Sequence, residues 1–137
     1  MFPMDKEILD PCFNFDSTDL VDDGRIYKRG TLTYHRPYGW CRVALKVKNR
    51  YGDSDWLGGI RGGIRTGSIS KEWPVSYHGT KEKFVKDIAS KGYDLSKGKR
   101  FLYGKGIYST PDPCVAEKYA AVYEFKGQKY KVLIQNR

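Results

Sequence analysis

Three short segments carry groups suited to gripping a small, flat, hydroxyl-bearing ligand. His78-Gly79-Thr80 joins an imidazole, which can hydrogen-bond a hydroxyl, to a glycine that lets a ligand approach the backbone. Tyr103-Gly104-Lys105-Gly106-Ile107-Tyr108 is an aromatic run broken twice by glycine. Tyr119 follows Tyr108 after ten intervening residues. Singly, each has an ordinary structural reading: a packed histidine, a glycine-kinked edge strand, an aromatic on the buried face of a helix. Their combination is more specific than any of them.

In residue types and in both spacings, the segment from Val75 to about Asn136 resembles the ADP-ribosyltransferases of the poly(ADP-ribose) polymerase and diphtheria-toxin type. The resemblance implies an α+β fold, a split pair of small antiparallel sheets with flanking helices around an NAD cleft. It implies that His78 bonds a ribose hydroxyl, that the Gly79 backbone holds the nicotinamide carboxamide with Thr80 beside it, and that Tyr108 and Tyr119 sandwich the nicotinamide ring. Gly106 joins the cofactor-binding set, with His78 and Tyr108 at the reacting centre. Two flat π faces suit a flat heteroaromatic ring, each such pair adding about 0.5–1.5 kcal/mol beyond area burial. The implied activity is transfer of ADP-ribose from NAD, as co-substrate, to a protein or nucleic-acid acceptor with release of nicotinamide. Arg100 and Lys105 are candidates for the pyrophosphate.

Two positions depart from the family's pattern. Ala116 stands where many members carry a serine that bonds the carboxamide. The family's glutamate, on a later strand, has no counterpart before Arg137, and Glu117 and Glu124 belong to other elements. A mono-transferase from which a C-terminal strand has been cut is therefore expected, with a sheet edge open to a second copy or a partner chain. The alternative is a degenerate module of the same fold that binds NAD, ADP-ribose or nucleic acid without turnover. Arg25–Trp40 interleaves aromatic and basic residues as a single-strand surface would, or as ordinary packing does. Gly58–Gly67, with Arg61 and Arg65, is an anion nest or a plain surface loop. RNA 2′-phosphotransferases share a similar H-G-T, but the Y-G-K-G-I-Y run and the second tyrosine favour the first reading.

These residues need elements to hold them. Arg42–Asn49 alternates, with Val43, Leu45 and Val47 on one face, and predicts a half-buried strand. Glycines from Gly58 to Gly67 predict a loop over Trp56–Ser70. A short strand is expected from Pro74 to Tyr77, then a helix capped by Thr80 with Phe84, Ile88 and Ala89 on its apolar face and Gly92 as its stop. Arg100–Tyr108 reads as an aromatic strand. A second helix opens at Thr110-Pro111 with Val115, Tyr119 and Val122 on one face. Lys129–Asn136 alternates again as a last strand.

The chain has 137 residues, 39% of them hydrophobic, which suits one domain with a core and excludes a disordered chain. Its net charge of +9 is unevenly placed. Residues 1–24 hold one basic and seven acidic side chains, whereas residues 25–137 hold 24 basic and nine acidic. The division predicts an acidic N-terminal arm over 1–24, able to cover a basic body over 25–137 that attracts polyanions. Cys12, Cys41 and Cys114 are odd in number and widely spaced, so neither a disulfide framework nor a zinc site is expected. No secretory signal or membrane-spanning run is legible. A reducing compartment, cytoplasm or nucleus, is expected.

Overall fold

A computed structural model of the chain describes residues 4–97 and 106–137. They form a mixed α+β structure of short helices and small antiparallel sheets, divided into two compact units. Of the described residues, 5–76 and Arg137 make one; those from Tyr77 to Asn136, with Met4, make the other. The expected aromatic strand Arg100–Tyr108 lies outside the described residues up to Lys105. From Gly106 to Tyr108 the backbone bends and is not strand.

The larger unit is built from two-stranded ladders. β1 (Phe15–Asp16), β2 (Tyr27–Arg29), β3 (Leu32–Tyr34) and β4 (Cys41–Arg42) pair as β1 with β4 and β2 with β3. Residues 5–24 thus share a unit, and a strand pairing, with the residues that follow them. The Ser17 N–H donates to the Trp40 carbonyl and the Asp10 N–H to the Ala44 carbonyl. Beyond Arg42 the expected strand survives only as a bridge between Leu45 and Leu9, and Val43 is exposed. The partner segment there is a 3₁₀ turn, Lys6–Ile8, that offers no extended edge for a longer ladder.

The glycine-rich stretch corrects the loop expectation. It folds as a hairpin of β5 (Gly59–Arg61) and β6 (Ile64–Gly67). Gly62 and Gly63, at φ +59° and +80°, supply the two left-handed residues that a tight hairpin turn demands. Glycine here makes the element instead of breaking it. Tyr34, Trp56 and Val75 form the buried apolar residues of this unit, and Glu72 is buried among them with its carboxylate paired.

The chain passes into the smaller unit within β7 (Ser76–Gly79), which is shifted towards the site relative to the expected Pro74–Tyr77 because Pro74 has no N–H for a ladder. β7 pairs with β10 (Leu133–Asn136). α1 (Glu82–Lys91) starts after Lys81, so Thr80 is not its cap; the chain is still extended at Lys81. Val85 is the buried residue of α1, with Ile88 and Ala89 half-buried and Phe84 exposed. Gly92 ends it as expected, at φ +82° with its N–H on the Ile88 carbonyl.

α2 (Pro113–Glu117) is also later than expected. Asp112 caps it, accepting from the Cys114 N–H at 2.8 Å, and Pro113 takes its first turn. The helix is too short to carry Tyr119 or Val122, which are exposed; Pro113 and Ala116 make its buried side. The expected strand Lys129–Asn136 divides in two. β9 (Gln128–Tyr130) turns back through Lys126-Gly127 onto β8 (Tyr123–Phe125), and only β10 pairs with β7. A two-residue turn with both φ values positive closes the local hairpin before the longer strand can form.

Candidate functional site

The six residues expected to hold a ligand are gathered on one cleft of the smaller unit, of about 870 Å³. His78 and Gly79 come from the end of β7, and Thr80 from the link to α1. Gly106 and Tyr108 come from the segment before Thr110, and Tyr119 from just beyond α2. A bridge between Tyr77 and Thr110 fixes two of these segments to each other, with N–H···O distances of 2.7 and 3.0 Å in the two directions. Tyr77, nearly inaccessible, anchors the floor.

The imidazole of His78 is oriented by hydrogen bonding. Nδ1 lies 2.6 Å from the Tyr108 carbonyl oxygen, which can only accept, so Nδ1 bears the proton. In the neutral ring Nε2 is then an acceptor. Tyr108 is 37% exposed and Tyr119 71%, so both rings have surface to offer a ligand.

Gly79 has a second reason to be glycine. A Cβ there would collide with the Ala116 carbonyl oxygen, so the end of β7 lies directly against the backbone of α2. Ala116 is itself 1% exposed, so a larger side chain there would have to displace packed neighbours. Gly106, by contrast, has room for a Cβ, the nearest atom being 3.7 Å away.

The charged groups lining the cleft are Asp87, Asp94 and Lys97. Lys97 lies 3.7 Å from Asp87. Asp94 accepts from the Ser96 hydroxyl at 2.6 Å and from its N–H at 3.0 Å, which holds its carboxyl below the usual range. Among the described residues the lining thus carries no surplus of positive charge for a pyrophosphate. Arg100 and Lys105 lie outside the described residues. No glutamate lines the cleft among the described residues; Glu117 instead pairs with Lys131 at 3.3 Å.

Sequence reasoning missed Tyr93. Its ring meets His78 edge to face, at 5.3 Å between centroids and 82° between planes, and its hydroxyl donates to Asn136 Oδ1 at 2.6 Å. The residue is 38% exposed, but desolvation of its phenol pushes it up to about 12 against the lowering effect of that bond. Only its place after the Gly92 stop could have drawn attention to it.

The two nucleic-acid candidates look different in three dimensions. Arg36 lies over Tyr27 and Tyr38, at 4.7 and 5.6 Å from their centroids, and Arg29 over Tyr34 at 3.9 Å. One face of each ring is therefore already taken by a guanidinium. In the glycine-rich hairpin, Arg65 donates to Glu72 at 2.8 and 2.9 Å, so it is committed to the interior of its unit. Among the described residues no three His, Cys, Asp or Glu side chains are grouped as metal ligands, and no helix is long and apolar enough to cross a membrane. Comparisons with protein-family models, with curated proteins and with solved structures find no match to the chain.

Proposed function

We propose that the smaller unit is an NAD-binding cleft with an ADP-ribosyltransferase-like fold, and that the chain belongs to a mono-ADP-ribosyltransferase acting on a protein or nucleic-acid acceptor. The observation that carries this reading is the convergence of His78, Gly79, Thr80, Gly106, Tyr108 and Tyr119 on a single cleft. The described lining fits the nicotinamide–ribose end of NAD: two partly exposed aromatic rings, an imidazole with a fixed tautomer, and a glycine between them. A volume of about 870 Å³ is in the range of small-molecule and cofactor sites.

In this reading the bond from ribose C1′ to the nicotinamide nitrogen breaks with its electron pair leaving on nicotinamide. The acceptor heteroatom bonds C1′ and releases its proton to solvent. His78 orients the ribose through Nε2, and Tyr108 and Tyr119 hold the departing ring, so the chain's work is orientation and retention. No carboxylate of the described lining matches the family's glutamate.

Calorimetric titration of the chain with NAD, and with nicotinamide alone, tests the proposal. Saturable binding of both, weakened at least about 10-fold for NAD by H78A and for both ligands by Y108A, is expected. A folded chain that binds neither would overturn it. Transfer of labelled ADP-ribose to added protein and RNA then separates a transferase from a module that only binds.

A further inference from the structure

His78 is held by more than its own strand. Its Nδ1–H donates to the Tyr108 carbonyl at 2.6 Å, and its ring meets Tyr93 at 82°. Tyr93 is itself fixed, since its hydroxyl donates to Asn136 Oδ1 at 2.6 Å. Asn136 ends β10, the strand paired with the one that carries His78. The contacts run from β10 through Tyr93 to His78 and on to the segment bearing Tyr108. Nε2 has no hydrogen bond among the described residues.

A half-turn of an imidazole about its Cβ–Cγ bond exchanges Nδ1 with Cδ2 and Nε2 with Cε1. Such a turn at His78 would break the bond to Tyr108 and replace the free lone pair with a carbon. The Tyr108 carbonyl alone opposes this with one neutral hydrogen bond, a modest restraint. A ring packed across the imidazole obstructs the turn sterically.

We propose that Tyr93 is a positioning residue for His78. Its ring, packed across the imidazole, keeps Nδ1–H on the Tyr108 carbonyl and Nε2 available as an acceptor. The ligand group this arrangement selects is a hydroxyl donating its hydrogen, as a ribose diol does. The functional weight of that aim rests on the cleft being a nicotinamide–ribose site. The restraint itself does not.

The test reads the ring nitrogens of His78 by NMR in the ¹⁵N-labelled full chain, without nucleotide, at about pH 8, where an ordinary histidine is neutral. The wild type and Y93F, which keeps the ring, are expected to show the Nδ1–H form alone. Y93L fills the space without a planar ring and is expected to show both tautomers, with Y93M taking its place should the leucine variant not fold. A leucine or methionine variant that folds and keeps only Nδ1–H would overturn the role of Tyr93. With NAD, Y93F should bind as the wild type does and Y93L about 2- to 12-fold more weakly, the range expected for one neutral hydrogen bond. Because the tautomer is read without nucleotide, absence of NAD binding by the wild type would overturn the proposed function and leave the restraint on His78 standing.

Discussion

A Cβ on Gly79 would clash with the Ala116 carbonyl oxygen and come within 3.0 Å of the Ala120 nitrogen. Both neighbours are backbone, so neither can swing aside. Gly79→Ala is therefore expected to cost about 1–3 kcal/mol, as overpacking does, whereas Gly106→Ala should stay within about 1 kcal/mol of the wild type. Urea denaturation of the two variants decides, and equal losses would contradict the tight approach of β7 to α2. Tyr93 provides a second measurement. Desolvation pushes its phenol up to about 12 in the folded chain, from the ordinary 10.0. The folded state thus holds this proton more tightly than the unfolded one. Its stabilising effect is complete below pH 10 and is lost as pH rises towards about 12. An absorbance titration should show one tyrosine ionising after the rest, absent in Y93F; a Y93F curve that differs from the wild type only in an ordinary tyrosine would refute it. That the imidazole and the two tyrosines would meet on one surface was legible in the sequence because their types and spacing are chemically unusual together. The structural demand on Gly79 and the role of Tyr93 were not, because each depends on a partner distant in the chain.

Among the elements, the starts of helices and the turns of hairpins were set by residues whose meaning is positional. Asp5, Asp16, Asp22, Asp23, Asp53, Asp94 and Asp112 each accept from the backbone N–H two residues on, closing a local turn. Four of these lie in the acidic first 24 residues. There the aspartates act first as turn formers, a use that a charge count does not reveal. The same spacing fixed α2, where Asp112 prevailed over Thr110 as cap. Gly92 was legible because a glycine stop needs only its own φ. Gly62-Gly63 was misread because glycine weakens a strand interior and yet completes a hairpin turn, and only the flanking Ile60 and Ile64 could have distinguished the two. Gly63→Val should cost about 1–2 kcal/mol and raise amide exchange in β5 and β6, since a branched side chain must enter the left-handed region. Gly62→Asn should cost less, as Asn visits that region readily. Equal effects would mean that the turn relaxes to another conformation.

At the largest scale, part of the basic excess among the described residues faces the interior and not solvent. In the larger unit three arginines turn inward on one carboxylate. Glu72 accepts from Arg65 and Arg137 at 2.8 Å and lies 3.7 Å from Arg29, and its side chain has no exposed surface. Arg137 also donates to the carbonyls of Trp73 and Leu57, at 3.1 and 3.2 Å. Burial lowers the Arg29 guanidinium to about 10, so it remains charged at neutral pH. Burial by itself would raise the Glu72 carboxyl. Hydrogen bonds from Ser68, Arg137 and Arg65 together outweigh it and hold the group below its ordinary 4.5. The folded state therefore binds the Glu72 proton more weakly than the unfolded state. The resulting stability is fully present above about pH 4.5 and is lost as pH falls through the folded value. Glu72→Gln leaves three partly buried guanidiniums without their counter-charge and is expected to cost about 3 kcal/mol or more at neutral pH. Its stability should also change less than that of the wild type between pH 5 and pH 3, because the titrating group is gone. Denaturant midpoints across that range, followed by the fluorescence of Trp56 and Trp73 packed in the same unit, measure both effects. An acid profile for the variant that parallels the wild type would show that other carboxylates, not this buried one, govern the unit's stability in acid.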